Sequence, residues 1–289
     1  MAPIRSFRPQ HPSIPMSLAV PTSRTGSSNN RSPVLFPRLS PSIRASIAFL
    51  LLALFLHVRA AAQNPVFLSE GKIEFERKLN LYAQLENDDS WSDLQKKTMP
   101  QFKTSWFNLV FKKNKTLFKP GRENADNNKI WQQPAEENVV YADLEEEKST
   151  SQKKVFEQLF LIQDSVRKIK WKITDETRTI AGLPCRRANA LILDSIYVVA
   201  FYTDEILTSG GPESFTGLPG MILGVALPHE HLTWFATRIQ AVAVSDAELT
   251  APLNLKGKKV NYTSLRQTLS ESLKDWGKYG ERYIKAVML

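Results

Sequence analysis

Between residues 72 and 244 the chain offers a succession of short apolar or alternating segments, and almost none is followed by a helical pattern long enough to return the chain for a parallel neighbour. Consecutive strands must therefore pair side by side. The expectation is an α+β, β-dominated domain built on a curved, mainly antiparallel sheet of about eight strands. Residues 72–82 place Ile73, Phe75, Leu79 and Leu81 on one parity, as a half-buried strand does. Residues 106–111, 139–141 and 155–162 supply further strand segments. In residues 168–173 apolar side chains alternate with lysines, which predicts a strand with Trp171 on the core face and the ammonium groups in water. Gly182 marks a turn inside 179–193, and residues 196–202 are apolar on both parities, which predicts a central strand. Residues 221–227 and 232–244 are joined by Pro228, His229, Glu230 and His231 alone, a hairpin spacing. Residues 114–134 read as a polar excursion, and Glu145, Glu146 and Glu147 as a solvated connection. Two helices complete the pattern. A short one in the N-terminal half is opened by Ser90, with Asp93 three residues on, and stopped by Pro100; a C-terminal helix is opened by Ser264 and Gln267. Leu265, Leu269, Leu273, Trp276 and Tyr283 form the apolar side of the C-terminal helix.

One loop interrupts this series with a distinct composition. Residues 210–224 (GGPESFTGLPGMILG) hold five of the twelve glycines and two of the seventeen prolines, and run straight into an apolar segment. Glycine is favoured where the backbone needs positive φ or where another chain comes close, and proline fixes φ. Gly211, Pro212, Gly217, Leu218, Pro219 and Gly220 therefore define a tightly specified loop entering a strand. No Lys-Ser/Thr pair follows the glycines and no G-x-G-x-x-G spacing opens a helix, so the loop does not read as a phosphate cradle.

The formal charge of +9 suggests an anionic partner until the charges are located. Seven arginines and no acid precede Gln63, which leaves 38 − 7 = 31 basic residues against 29 acidic ones in the remainder. That near-neutral body lacks the basic footprint of a nucleic-acid-binding domain. Residues 1–43 are rich in Pro, Ser and Arg without apolar periodicity, and are expected to be disordered. Residues 47–58 (IAFLLLALFLHV) lie between Arg44 and Arg59 and end in Ala60, Ala61 and Ala62. They are too short to span a bilayer and match a secretory signal peptide cleaved near Ala62. A transit peptide is the rival, but those are amphipathic and this run is apolar nearly all round. The expected organisation is a disordered prefix with a signal peptide over 1–62 and a single β-rich domain over 63–289. The mature chain is expected to be periplasmic or secreted, without a transmembrane span. Cys185 is the single cysteine, so no intramolecular disulfide forms and no cysteine at the cleavage position is available for lipid attachment.

Taken together, these motifs resemble the GLPGLI family of exported Bacteroidetes proteins, named for the string matched here by Gly217, Leu218, Pro219, Gly220, Met221 and Ile222, with methionine in place of the usual leucine. Ile169 to Ile173, Gly182 through Cys185 to Ala188, and Ala200 to Ile206 ahead of Gly211 and Pro212 match in the same order. The family more usually carries tryptophan at the position of Phe201 and an aromatic at that of Leu183. The resemblance covers most of the mature chain from about Gly71. It implies export and an envelope setting, and it assigns no activity, so no catalytic residue carries over.

Candidate chemistry is sparse. His229 and His231 are one residue apart beside Glu230, and on an extended backbone both imidazoles point the same way, a geometry that suits copper or zinc. A plain polar hairpin tip is the alternative reading. Cys185 could act as a nucleophile with one of these histidines as base, or sit as a small buried apolar residue. Asp204, Glu205 and Glu213 flank the glycine loop as a candidate acid/base pair. No G-x-S-x-G elbow, H-E-x-x-H helix or Walker sequence is present. Three functional classes follow. The leading expectation is an exported binding or assembly module that offers an apolar cleft or partner surface to an envelope protein or apolar ligand, with no cofactor. The others are a copper- or zinc-handling protein and an envelope enzyme without a known motif.

Overall fold

The alternation that begins at Glu70 produces the first long strand of the computed structural model, which describes residues 67–85, 90–129, 132–252 and 257–289, with a few more between 40 and 50. The chain divides into two units, Met1–Gln63 and Asn64–Leu289. In the first, the described residues from 41 to 50 are helical. Prefix residues 1–39, the expected signal segment apart from Phe49 and Leu50, and the cleavage position at Ala62 lie outside the described residues. No described helix is long and apolar enough to cross a membrane.

The second unit is built on one open, mixed sheet of 12 strands. In chain order these are β1 (Glu70–Asn80), β2 (Phe102–Lys112), β3 (Lys115–Pro120), β4 (Val139–Asp143), β5 (Lys148–Val155), β6 (Gln158–Ser165), β7 (Lys172–Ile180), β8 (Leu183–Ile192), β9 (Ile196–Thr203), β10 (Met221–Leu227), β11 (Leu232–Gln240) and β12 (Lys258–Val260). Three α-helices accompany them: α1 (Ser90–Thr98), α2 (Tyr262–Ser272) and α3 (Gly277–Met288). Their order across the sheet is β12-β6-β5-β4-β3-β2-β1-β11-β10-β9-β8-β7. Two meanders, β1 to β6 and β7 to β11, are thus zipped together where β1 pairs antiparallel with β11, Phe75 facing Ala236. Every pairing is antiparallel except that of β12 with β6, so the expectation of a mainly antiparallel sheet holds.

The strand count exceeds the sequence expectation, and the differences have physical causes. β3 lies in the stretch read as a polar excursion. β5 carries Ser149, Ser151 and Lys153 on its buried parity, so before Val155 its inward face gives no apolar signal. The apolar segment 155–162 is the end of β5, a turn at Phe156 and Glu157, and much of β6. Residues 168–171, which alternate most clearly, are not a strand: β7 begins at Lys172, and Ile169 and Trp171 lie in the connection before it. The expected C-terminal helix is two helices. Asn261, not Ser264, caps α2, its side chain accepting from the Ser264 backbone N–H, and the chain breaks before α3 at Gly277, where φ is 53°. Trp276 is consequently exposed and does not join Leu265, Leu269 and Leu273 in the core.

Six residues, 166–171, connect β6 to β7, two strands separated by ten intervals of the sheet. Laid flat, ten intervals span about 48 Å, whereas the seven Cα steps of this connection reach at most roughly 25 Å. The sheet must therefore curl so that its two ends approach each other. Its concave side holds the main core, with Phe75, Phe107 and Phe118 packed together (Phe107 and Phe118 stacked at 4.8 Å). Helices α2 and α3 cover the β5–β6 end, where Leu265, Leu269, Val287 and Met288 meet Val155, Phe160 and Ile162. A smaller cluster on the other face joins Val110 and Leu117 to Val244 and Leu249.

The glycine loop is folded into this concave space. Residues 210–216 are buried, as are Leu218 and Gly220, while Gly217 and Pro219 reach solvent. Gly220 has φ +139°, and a Cβ there would lie 2.0 Å from the Thr203 carbonyl oxygen. Gly182, at φ +88° in the β7–β8 turn, has open space around it. The two positions separate conformational strain from steric exclusion. Gly182→Ala is expected to cost about 1 kcal/mol, through φ alone, and Gly220→Ala about 3 kcal/mol or more, because backbone must move. Urea denaturation of the two variants measures the difference.

Candidate functional site

The loop carries one carboxylate into the interior. Glu213 sits in the left-handed region at φ 50°, a conformation uncommon for a residue with a Cβ, and is 3% exposed. Asn138 Nδ2 donates to Glu213 Oε2 at 2.9 Å. Burial pushes the Glu213 carboxyl above the usual glutamate range, and Lys153, the Asn138 hydrogen bond, Arg77 and Arg167 pull it part of the way back. Arg77 belongs to the inward parity of β1 and Lys153 to that of β5, so the curled sheet brings cations from distant strands to one buried acid. A second acid, Glu136, accepts from Lys103 Nζ at 2.8 Å and lies 3.6 Å from Arg77 Nη1. Burial lowers the pKa of Arg77, against the pull of Glu136 and Glu213.

The last residues of α3 close the space. Lys153 Nζ donates to the Val287 carbonyl at 2.9 Å, Arg167 to that of Met288, and the Ser214 hydroxyl to that of Leu289. Trp171 Nε1 donates to the Thr216 carbonyl at 2.8 Å and fixes the loop from the β6–β7 connection. Phe215 packs on Trp234, and the Arg77 guanidinium lies 5.8 Å from the Trp234 ring centroid. Glu213 Oε1, Ser151 Oγ and Trp234 Nε1 are buried without a hydrogen-bond partner among the described residues, each at a cost of about 1–3 kcal/mol.

Along the seam where the ends of β6 and β8, strands from the two halves of the sheet, meet the β6–β7 connection, a cleft of about 600 Å³ opens. Its walls are Asp164 and Ser165 at the end of β6, residues 166–170 of the connection, residues 191–193 at and just past the end of β8, the start of α2 and Met288. Ile169, Leu193 and Leu191 (62% exposed) provide apolar surface, while Arg167, Lys168, Lys170 and Arg266 provide positive charge. Asp164, the lone acid among the lining residues, accepts from the Tyr262 backbone N–H at 2.9 Å, and Lys168 pairs with Glu147 at 2.8 Å. Lys170 and Arg266 form no ion pair among the described residues. A second hollow of about 400 Å³ shares Leu193, Arg266 and Met288 and extends the cleft towards Ser270 and Lys285.

The sequence candidates are placed as follows. Gly211, Pro212, Leu218 and Gly220 are buried scaffold, and Glu213 is the loop residue that reaches ionisable partners. Asp204 is exposed and Glu205 half-buried while Glu213 is buried, so the candidate acids do not share one environment. His229 lies in a 3-10 turn, Pro228–Glu230, and His231 follows it in the left-handed region at φ 53°, so the extended backbone expected to align their imidazoles is not present there. No group of three or more metal-binding side chains occurs among the described residues. Cys185 is buried, its thiol donating to the Leu183 carbonyl at 3.5 Å, and burial pushes its pKa up to about 11. Arg77, Lys153 and Arg167 escaped the sequence reading. The available signals were an arginine on the apolar parity of β1 and a lysine on the parity shared with Ser149, Ser151 and Val155.

The fold and cleft define a class: a β-sheet module with a buried polar interior and an open seam. A family model described as "Protein of unknown function (Porph_ging)" matches residues 191–224, which contain β9 and the whole glycine loop. No curated protein matches the chain. Among solved structures, two crystal forms of PNGF-II align at 14% and 15% identity with TM-scores of 0.46 and 0.45, covering 68% and 69% of this chain. The alignment takes in 32% of each PNGF-II chain, so this protein spans about a third of their length. An uncharacterized conserved protein from Thermus thermophilus aligns at 5% identity and TM-score 0.35, covering 67% of this chain and 90% of its own.

Two expectations follow from the buried groups. A carboxyl whose pKa is raised in the folded state holds its proton there after the unfolded chain has lost it. Stability therefore falls as pH rises from the ordinary glutamate range through the raised value. Thermal melts between pH 4 and 8 should show this slope in the native protein and a flatter one in Glu213→Gln; equal slopes would exclude Glu213 as its source. The Cys185 thiol should resist iodoacetamide at pH 8 in the folded protein and react once urea exposes it, as mass spectrometry can follow.

Proposed function

We propose that this protein is an exported binding module of the GLPGLI type, and that its ligand occupies the seam beside the β6–β7 connection. The carrying observation is the cleft itself: an apolar wall beside several cationic side chains, in a body whose net charge is otherwise close to neutral. Such a lining suits a ligand with an apolar body and an anionic head, since apolar surface supplies affinity and a few placed charges fix orientation. The buried Glu213 cluster serves that site indirectly. Arg167 donates to the Met288 carbonyl and lies beside Tyr262, so the wall of the cleft is tied to the interior charges. Support for the family assignment comes from the Porph_ging match over the loop and from the ordered motifs. Export is supported by the apolar segment before Ala62.

Titration calorimetry with dodecyl phosphate, and with dodecyl trimethylammonium as a control of opposite charge, tests the reading. Binding of the phosphate in preference to the ammonium is expected. Reversing Lys170 and Arg266 to glutamate should weaken it at least about tenfold, the equivalent of ~1.4 kcal/mol. No binding, or an affinity indifferent to the reversal, would remove the proposal.

A further inference from the structure

A second concave surface, independent of the seam, lies at the tip of the β5–β6 hairpin. Its apolar lining is mainly aromatic. Phe156, 49% exposed, stacks on Tyr283 with ring centroids 4.8 Å apart and planes 4° from parallel, and Trp276, 50% exposed, meets Phe156 edge-on at 5.7 Å. The hollow they border measures about 520 Å³ and is completed by the 132–137 segment, Lys154 and Glu157. Leucine, isoleucine, valine and methionine are absent among the described residues that line it.

The local chain departs from what turn chemistry prefers. A two-residue hairpin turn calls for Asn or Gly where φ is positive, yet Phe156 holds φ 51° there; Lys113 and Ala181 do the same in other two-residue turns of the sheet, and this turn differs in placing a large aromatic at that position. A bulky aromatic in that region is a true outlier, and conformational strain of this kind gathers at functional positions. The turn lifts an aromatic ring into solvent beside a second half-exposed ring, at the cost of leaving both partly unburied. Around the rings stand the Gln132 amide, the Glu157 carboxylate and the Lys154–Glu137 ion pair at 3.5 Å. Glu136 is already engaged by Lys103 and by the Gln133 backbone N–H.

We infer that the Phe156–Trp276–Tyr283 hollow is a carbohydrate-binding site for a neutral glycan. A pyranose ring has flat faces of C–H groups and an equator of hydroxyls. The C–H groups carry slight positive charge and settle against the negative face of an aromatic ring, while hydroxyls pair with amides and carboxylates at the rim. An aliphatic peptide side chain would want the branched apolar lining that this hollow lacks. With Glu136 paired to Lys103 and Glu137 to Lys154, Glu157 leaves the rim one negative charge in excess, and this charge opposes sialylated or sulfated sugars. The seam thus takes an anionic head, whereas this hollow takes an uncharged ligand.

The test is an array of neutral oligosaccharides (glucose, mannose and N-acetylglucosamine trimers) and of sialylated and sulfated ones, probed with the purified protein and followed by tryptophan fluorescence titration of any hit. At least one neutral glycan should bind and the acidic ones should not. Trp276→Ala and Phe156→Ala should each weaken binding tenfold or more, with Trp276→Phe restoring part of it. Melting temperature and dodecyl phosphate affinity, measured on the same variants, show whether the fold and the seam are intact. Absence of any neutral glycan hit, selection of acidic glycans, or a folded Trp276→Ala variant with undiminished affinity overturns the inference.

Discussion

The short connection between β6 and β7 governs much of what the rest of the molecule can do. Because residues 166–171 must reach between strands at opposite ends of the sheet, the sheet curls, and a curled sheet of this size encloses more space than its own side chains fill. The glycine loop enters that space, and close approach explains its composition. A Cβ on Gly211 would meet the Phe215 carbonyl and Ile222, and one on Gly220 the Thr203 carbonyl. The loop also delivers Glu213 to Lys153, Arg77 and Arg167, and those cations in turn explain why strands with inward polar faces are tolerated. Loop, buried charges and the clamped 287–289 carbonyls are parts of one solution to filling a concave interior.

Much of the architecture was legible in the sequence because period-two patterning reports any strand with one dry face and one wet one. The residues of β1, β9, β10 and β11 could be read directly, as could the hairpin at 228–231. Patterning failed where the inward face is polar. In β5 the buried Ser149, Ser151 and Lys153 look like a solvent face, and without knowledge of Glu213 nothing marks them as interior. It also misled at residues 168–171, where Ile169 and Trp171 alternate with lysines for a different reason. Trp171 anchors the loop through Thr216 and Ile169 lines the cleft, so both point inward from a segment outside the sheet.

The candidate sites were less legible than the fold, for a related reason. A cleft formed where a connection brings the two halves of the sheet together is a property of topology, and its lining comes from β6, β8, α2, α3 and a connection with no shared sequence signature. The aromatic hollow joins Phe156 to Trp276 and Tyr283, more than a hundred positions further on, across a hairpin that the apolar run 155–162 conceals. By contrast, the residues that sequence reading favoured, His229, His231 and Cys185, drew attention by their chemistry in isolation. In the fold the two histidines lie in a tight turn and the cysteine is a buried apolar filler.

The zipping of β1 to β11 has a kinetic side. Within each meander, neighbouring strands are also neighbours in the chain and can pair as soon as both exist, whereas Phe75 must wait for Ala236. Contacts so distant in sequence carry the largest loop-closure cost and set the pace of folding. As the chain emerges from its N-terminal side, β1 acquires β2 early, but its other edge stays bare until nearly all of the sheet has been made. That long-exposed edge, in the middle of what becomes the sheet, is the segment through which an unfinished molecule would most readily pair with the wrong strand.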